Sequence, residues 1–589
     1  MEEQQKNLFL MIALLMAILI GWQFFVAPYF APPKPAPTEQ QQQAGTQPGA
    51  QAPAAPEAAP PVPAAPPAPA VKTRAEALAA SPRIRIETPR LHGSIALLGA
   101  RLDDLTLATY HETVDPKSPE IELLSPSGTE HAYVVDVGWV ASGDKKAALP
   151  TVSTRWTATD DAPLSPTHAV ELTWDNGAGL VFTRRISIDD EYMFTVSETV
   201  TNNSGEPVTL LPFGSTARSG EPPVSPSYLL HEGPIGVFDG TLKDTTKYTE
   251  LKPNEPEKFA STGGWMGFTD KYWLTALIPG AEEKINASFR NTSEAGVQRY
   301  QADFTGAPQT VAPGASAGTT VRVFAGAKEV KLLDHYENAL GITRFDRAID
   351  FGWFYWITKP IFLTLDYFYG KIGNFGLSIM LLTLLIKIVF FPLANRSYRA
   401  MSKMKLLQPE IQKLREKFGE DKAKLNQEVM ALYKRVGANP LAGCLPIFVQ
   451  IPVFFSLYKV LYVTIEMRHA PFYGWIRDLS ATDPTTLLNL FGLIPWDPAP
   501  LFALPLIGGL FHLLSLGAWP LIMGVTMFLQ QKLNPAPADP TQAKMMMALP
   551  IVFTFMLSSF PAGLVIYWSW NNTLSILQQW VIMHRAGAA

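Results

Sequence analysis

The stretch 376–395, GLSIMLLTLLIKIVFFPLAN, constrains this chain more than any other. A run of about 20 apolar residues can cross a bilayer as a helix, yet Lys387 sits well inside this one. It lies about 13 Å, at helical rise, from Arg396, where a dense series of cations begins. A lysine at membrane depth costs roughly 2.5–3.5 kcal/mol, so it pairs, snorkels or faces water. No Asp or Glu interrupts any other apolar span, which leaves it no membrane-buried carboxylate. Thr383, one helical turn earlier, shares its face. The bland reading is a lysine that lifts its ammonium to the nearer interface. The sharper one is a wet, positively charged groove open to the cytoplasm.

The rest of the chain must accommodate that helix. At 589 residues it calls for several domains, and its net charge of −4 hides a clustering of cations in one polar segment. Cys444 is the only cysteine, which excludes an intrachain disulfide and reads as a small packing residue. Residues 8–26, LFLMIALLMAILIGWQFFV, exceed a signal-peptide core and lack a basic leader, so 1–30 reads as an uncleaved membrane anchor. Residues 31–80 are Pro, Ala and Gln, too poor in apolar surface to fold, and form a tether.

From 81 to 335, short alternating runs such as RIRI (83–86), YMFTV (192–196) and VRVF (321–324) are broken by Gly, Pro, Asn and Asp. That pattern predicts a large antiparallel β-sandwich. It holds no metal-ligand spacing, nucleophile elbow or phosphate loop, and His111 and His131 read as isolated surface residues. Nothing in it points to a sugar or peptide ligand. Residues 336–370 carry Trp353, Phe354, Tyr355 and Trp356, which suit a helix lying at the headgroup level; a core helix of the sandwich is the alternative.

The basic excess of 396–437 marks the cytoplasmic side, so helix 371–395 runs inward and the sandwich lies outside, in the periplasm of a Gram-negative cell. Met404, Leu407, Ile411, Leu414 and Phe418, then Leu425, Val429, Leu432 and Val436, define one apolar stripe per helix of an antiparallel coiled-coil hairpin. Its basic face, with Arg415, Lys417, Lys422 and Lys424, suits ribosomal RNA or anionic lipid headgroups, although fixing topology alone accounts for such charges.

Residues 438–465 form a further span with Gln450 near mid-depth and Lys459 snorkelling near its outer end. An external loop, 466–512, carries Trp475 and Trp496 and ends in an apolar run that is re-entrant, interfacial or a further span. Residues 513–533 return inward, and 534–589 hold two short spans joined by a tight external turn and followed by a short tail. About six spans place both termini in the cytoplasm and residues 31–370 in the periplasm. The last span is unusually polar: Tyr567 and Asn571 share a face, with Trp568, Asn572, Gln578 and Gln579 nearby. Such groups hydrogen-bond neighbouring helices or line a hydrated cavity, and the unpaired Lys387 favours the cavity.

Five stretches carry a resemblance: GGWMGFTDKYWLTALIP (263–279), SKMKLLQPEIQKLREKFGEDKAKLNQEVMALYK (402–434), NPLAGCLPIFVQIPVF (439–454), MGVTMFLQQKLNP (523–535) and FPAGLVIYWSWNN (560–572). Together they resemble the YidC-type membrane protein insertases (the YidC/Oxa/Alb family) in the Gram-negative form with a large periplasmic domain. The resemblance implies a multispan α-helical membrane protein with a periplasmic β-supersandwich. About five of its helices would enclose a hydrophilic groove with one positive charge, open to the cytoplasm and to lipid. It implies a protein that inserts and helps fold nascent inner-membrane proteins, alone or with the Sec translocon (SecYEG, SecDF), on the ribosome and in the phospholipid bilayer. The groove would contain Lys387, Thr383, Gln450, Tyr567, Trp568 and Asn571.

Position 387 holds lysine where the family commonly has arginine, which keeps the charge and loses the bidentate fork. Trp568 stands where tyrosine is frequent elsewhere, and the apolar insertion around 501–514 is absent from many relatives. The closing MHRAGAA lacks the basic extension some relatives use at the ribosome, so that contact is expected of the 396–437 hairpin. The mechanism expected is binding without bond chemistry, hence no enzyme, no cofactor, no metal and no small-molecule substrate. Two other classes compete. A proton-coupled transporter would use Lys387 as a relay, but neither membrane carboxylates nor an inverted repeat is present. A periplasmic scaffold or carbohydrate-binding protein would make the sandwich the active part.

Overall fold

Alternating burial builds the β part of the molecule. In Leu180–Ile188 every second residue is buried, and Met193–Asn202 beside it follows nearly the same rhythm, so each strand has one apolar face. The computed structural model describes residues 72–585 except 143–146, 221–229, 245, 295–296, 419–420, 438–444, 495, 497, 503, 505–510, 512–514 and 535–539. The expected anchor 1–30, most of the tether and Cys444 lie outside the described residues.

Two antiparallel sheets form. The 10-stranded one follows the path Arg83–Glu87, Leu91–Ala96, Arg101–His111, Tyr133–Ala141, Val208–Ser219, Val297–Thr305, Lys284–Glu294 and Glu257–Thr262. Glu120–Leu124 and Gln309–Val311 pair onto its side. The 9-stranded one runs Thr241–Lys243, Gly233–Phe238, Trp265–Thr269, Trp273–Ile278, Ser316–Ala327, Met193–Asn202, Leu180–Ile188, Val170–Asp175 and Thr157–Ala158. Phe182, Phe194, Trp265, Phe268, Phe304 and Phe324 fill the space between the sheets and are fully buried. Arg184 ties the sheets together: its guanidinium donates to Glu198 Oε2 at 2.9 Å on the neighbouring strand and to the Ala100 carbonyl at 2.7 Å, in the turn that leads into strand Arg101–His111 of the other sheet. Gly267 sits where a Cβ would come within 1.9 Å of the Thr275 carbonyl oxygen, so only glycine lets these two strands close.

Helices α1 (Arg74–Ala79) and α2 (Val330–Leu340) flank the sheets, and α3 (Tyr355–Ile372) leads away from them. The buried face of α3, Thr358, Ile361, Phe362 and Leu365, is opposed by exposed aromatics, with Trp356 72% and Tyr367 62% exposed. Trp353, just ahead of the helix, is 97% exposed. Asn374 caps the next helix, α4 (Phe375–Val389), by accepting from the Leu377 amide at 3.0 Å.

The stretch 376–395 is not one straight helix. It breaks at Phe390, and α5 (Phe391–Leu406) leaves at 69° to α4. Pro392 supplies the cause, since it has no N–H to donate and its ring collides with the carbonyl one turn back. Among the described residues no single helix is long and apolar enough to cross a membrane, whereas α4 and α5 pass that test as a bent pair.

Helices α6 (Gln408–Phe418) and α7 (Lys422–Val436) pack through Ile411, Leu425, Val429 and Leu432, with Leu407 at the end of the seam. Two residues of the expected stripe leave it. Met404 lies before the helix break at Leu407 and packs instead with Tyr398, Met401 and Ile582, while Val436 is 41% exposed. The remaining helices are α8 (Leu445–Val463), α9 (Ala518–Leu533), α10 (Pro540–Leu557) and α11 (Ala562–Arg585). Where α9 meets α10, a Cβ on Gly524 would lie 2.2 Å from Thr554 Oγ1, so a small residue permits the close approach.

A polar seam fastens the sheets to the helices. Lys459 of α8 does not snorkel: its ammonium donates to Asp350 Oδ2 at 2.8 Å, and its side chain is 13% exposed. Arg468 donates to the His111 carbonyl at 2.6 Å, and Lys271 lies 3.8 Å from the centre of the Tyr462 ring. Glu466 accepts the first amide of α2, Val330 N–H, at 2.9 Å. The residue keeps some exposure, but its other carboxylate oxygen is buried without a donor among the described residues. Burial pushes this carboxyl up to about 7, against the lowering effect of the Val330 amide.

Candidate functional site

Helix α4 carries Lys387 in its last turn, half-buried against α11. The ammonium donates to Ser575 Oγ at 2.6 Å, and that hydroxyl donates in turn to the Asn571 carbonyl of its own helix at 2.8 Å. Around Lys387 opens a cleft of about 830 Å³ between α4, α5 and α11. Its polar lining comes from Lys387, Asn395, Arg399, Ser402, Lys403, Gln578 and Arg585. Its apolar lining includes Leu384, Ile388 and Leu577, and the last two are 61% and 58% exposed. No carboxylate lines it among the described residues. The arrangement can attract and transiently hold an acidic group beside an apolar one. Among the described residues no cluster of side chains suited to hold a metal is present.

Of the other groove candidates only Asn571 joins the lysine's hydrogen-bond chain, and it does so through its backbone. Thr383 is buried, and its hydroxyl donates to the Ile379 carbonyl at 2.7 Å within α4. Its four-residue spacing from Lys387 is geometrically sound, but the helix backbone takes its hydroxyl first. Gln450 of α8 donates its amide to the Tyr567 hydroxyl, a polar clasp between α8 and α11, and Tyr567 is buried. Trp568 packs edge-on against Phe454 with ring centres 4.7 Å apart and lies 6.3 Å from Phe553. Asn571 is buried and joins the site through its backbone carbonyl. Asn572 donates to Thr526 Oγ1 at 3.3 Å and Gln579 to Asn534 Oδ1 at 3.2 Å, so both bind α11 to α9 and its end.

On the α6–α7 pair, Lys417 and Lys424 both approach the Phe418 ring, at 5.2 and 5.4 Å, and the Lys424 amide donates to the capping Asp421 at 3.0 Å. Arg415 lies on α6 and is engaged by a neighbour. Lys422 opens α7, and its side chain lies outside the described residues.

Sequence reasoning missed Ser575, Arg399, Lys403 and Arg585 as parts of one site. Ser575 had a usable signal, since Tyr567, Asn571 and Ser575 recur at the four-residue spacing of one helical face. The three cations had only an indirect one: Pro392 marks a break in the helix, but where α5 then lies, beside α11, is a tertiary feature.

Comparison with known proteins follows the division between sheets and helices. A family described as the YidC periplasmic domain matches residues 83–364, and one described as the 60Kd inner membrane protein matches residues 367–588. A protein of Beijerinckia indica named membrane protein insertase YidC is 50% identical over 596 residues, covering 100% of this chain and 97% of its own length. The protein of the same name from Bradyrhizobium diazoefficiens is 52% identical, covering 88% of this chain and 84% of its own. That from Brucella suis is 50% identical, over 99% and 96%. The crystal structure of an active YidC insertase with its first transmembrane domain resolved aligns over 84% of this chain and 91% of its own, at 17% identity and a TM-score of 0.35. The two family matches and the full-length identity to these relatives place the chain in the YidC family of bacterial membrane protein insertases, with an all-β periplasmic domain and a helical C-terminal part.

Proposed function

We propose that this protein inserts nascent proteins into the bacterial inner membrane through the cleft around Lys387. The observation that carries the reading is the position of that ammonium. It sits at the end of an apolar helix, answered among the described residues only by a serine hydroxyl, in a cleft that brings cations together with exposed Ile388 and Leu577.

In this reading α4, α8, α9, α10 and α11 are membrane helices, and with the anchor they make about six. Both termini and the α6–α7 pair, an antiparallel coiled coil, are cytoplasmic, and residues 31–370 are periplasmic. The Lys387 ammonium attracts acidic residues of the translocated segment, and polar side chains replace part of its lost hydration. The apolar helix of the client then passes into lipid, and its burial drives the step. At 15 residues α4 rises about 22 Å, against a hydrocarbon core of about 30 Å, which favours local thinning and a lower crossing barrier. Arg415, Lys417, Lys422 and Lys424 are the residues offered to the ribosome or to lipid headgroups. The protein works alone or beside the Sec translocon, and no bond is made or broken.

The test is photo-crosslinking to ribosome-bound chains that expose a first apolar segment. The probe sits at position 578, which lines the cleft, because Thr383 is buried. Crosslinks from 578 should appear at short chain lengths and fade as the segment lengthens, with few from the exposed position 525 of α9. Equal crosslinking at 578 and 525, or none at 578, would sink the groove.

A further inference from the structure

The cleft holds more positive charge than client capture through Lys387 requires. On α5 the lining positions Phe391, Asn395, Arg399, Lys403 and Leu406 recur at steps of three and four, one helical face. On α11 Leu574, Gln578, Val581 and Arg585 do the same, with Leu577 beside them. These two faces look at each other across open space. Neither α5 nor α11 contains an Asp or Glu, whereas α6 and α7 mix their cations with Glu410, Glu416 and Glu428. Among the described residues Arg399, Lys403 and Arg585 have no carboxylate partner. The Gln578 amide nitrogen is buried without an acceptor.

Three unanswered cations and an idle amide at one end of an apolar cleft match a molecule with an anionic head and hydrocarbon tails. We propose that Arg399, Lys403 and Arg585 hold the phosphate of an anionic phospholipid of the cytoplasmic leaflet, with an acyl chain laid along Ile388 and Leu577. Ribosomal RNA fits worse, because it would leave that apolar flank in water. Each cation near a membrane surface strengthens binding of an acidic headgroup about fivefold, so three act together on the order of a hundredfold. A resident lipid would offset one of the three charges at the mouth of the cleft and leave Lys387, deeper in, free to meet a client. The proposal rests on α4 and α11 being membrane helices but not on client passage.

The experiment is native mass spectrometry of the full-length protein in non-ionic detergent, titrated with phosphatidylglycerol or phosphatidylcholine. The wild type should retain one phosphatidylglycerol in preference to phosphatidylcholine. R399Q/K403Q/R585Q should lose it on the order of a hundredfold, and R399Q alone, should the triple variant fail to fold, about fivefold. K434Q/R435Q, which removes two exposed cations outside the cleft, should bind as the wild type does, and L577S should weaken retention severalfold with every cation in place. Undiminished retention by the cleft variants, or equal loss in K434Q/R435Q, would refute the site in favour of diffuse attraction. Displacement of the lipid by glycerol phosphate at equal concentration would refute it in favour of a free-anion site. Client insertion measured on the same preparations separates this outcome from failure of the insertase reading.

Discussion

Glu466 gives the sharpest test of how the β domain is fastened to the helices. Its carboxyl ionises near 4.5 in an unfolded chain and is pushed up to about 7 in the fold. Between those values the folded protein holds a proton that the unfolded one has lost, so stability falls as pH rises from about 4.5 through about 7. The gap of about 2.5 pH units corresponds to at most roughly 3 kcal/mol. Glu466→Gln keeps an oxygen to accept the Val330 amide and removes the charge. The variant should therefore match the wild type at pH 5 and exceed it at pH 8, by several degrees in Tm. The assay is thermal unfolding of the full-length protein across that range, with hydrogen exchange of the Val330–Leu333 amides reading the contact itself. A Gln variant less stable at pH 8, or a difference that does not change with pH, would refute the argument that burial of this carboxylate opposes docking.

Other perturbations test other links. Lys387→Arg should keep client insertion within about twofold, whereas Lys387→Leu should lose about tenfold for clients with acidic translocated segments, the worth of one charge-assisted contact; reconstituted vesicles measure both. Gly267→Ala drives a methyl into the Thr275 carbonyl and should cost at least about 2 kcal/mol, read as a lowered Tm or failed expression. Gly524→Leu should separate α9 from α10, seen as lost disulfide trapping between cysteines placed at 524-adjacent and 554-adjacent positions. Asp350→Asn and Lys459→Gln in a double-mutant cycle should show a coupling of roughly 1.5–3 kcal/mol in thermal unfolding.

Where periodicity decides structure, the sequence was legible. The alternation of 192–196 and 321–324 gives neighbouring strands of one sheet, in which Phe194 pairs with Val323. The stripes from Leu407 and Leu425 mark two helices that do pack together. Pairings distant in sequence were not legible. Lys459 looked like a snorkelling lysine because its carboxylate, Asp350, lies on a segment ahead of α3, and Gln450 looked like a groove residue because its partner Tyr567 is on the last helix. In each case the residue type announced a polar group at depth, and only the tertiary fold says whether a partner is waiting.

That distinction sorts the charges near the membrane helices into two sets, and the sorting bears on mechanism. Toward the β domain, Lys459, Arg468 and Glu466 are all engaged, by Asp350, the His111 carbonyl and the Val330 amide. At the other end Lys387 has a serine hydroxyl, while Arg399, Lys403 and Arg585 have no carboxylate among the described residues. A transporter that alternates access would have to loosen the first set in each cycle, breaking a part-buried ion pair each time. An insertase needs only the second end to be open and wet. The asymmetry therefore favours a cleft that works from one side while the β domain stays docked. It also predicts that fastening Glu466 more tightly, as Glu466→Gln should above pH 7, leaves client insertion unimpaired. Loss of insertion in that variant, with its fold intact, would show that the periplasmic seam has to open after all.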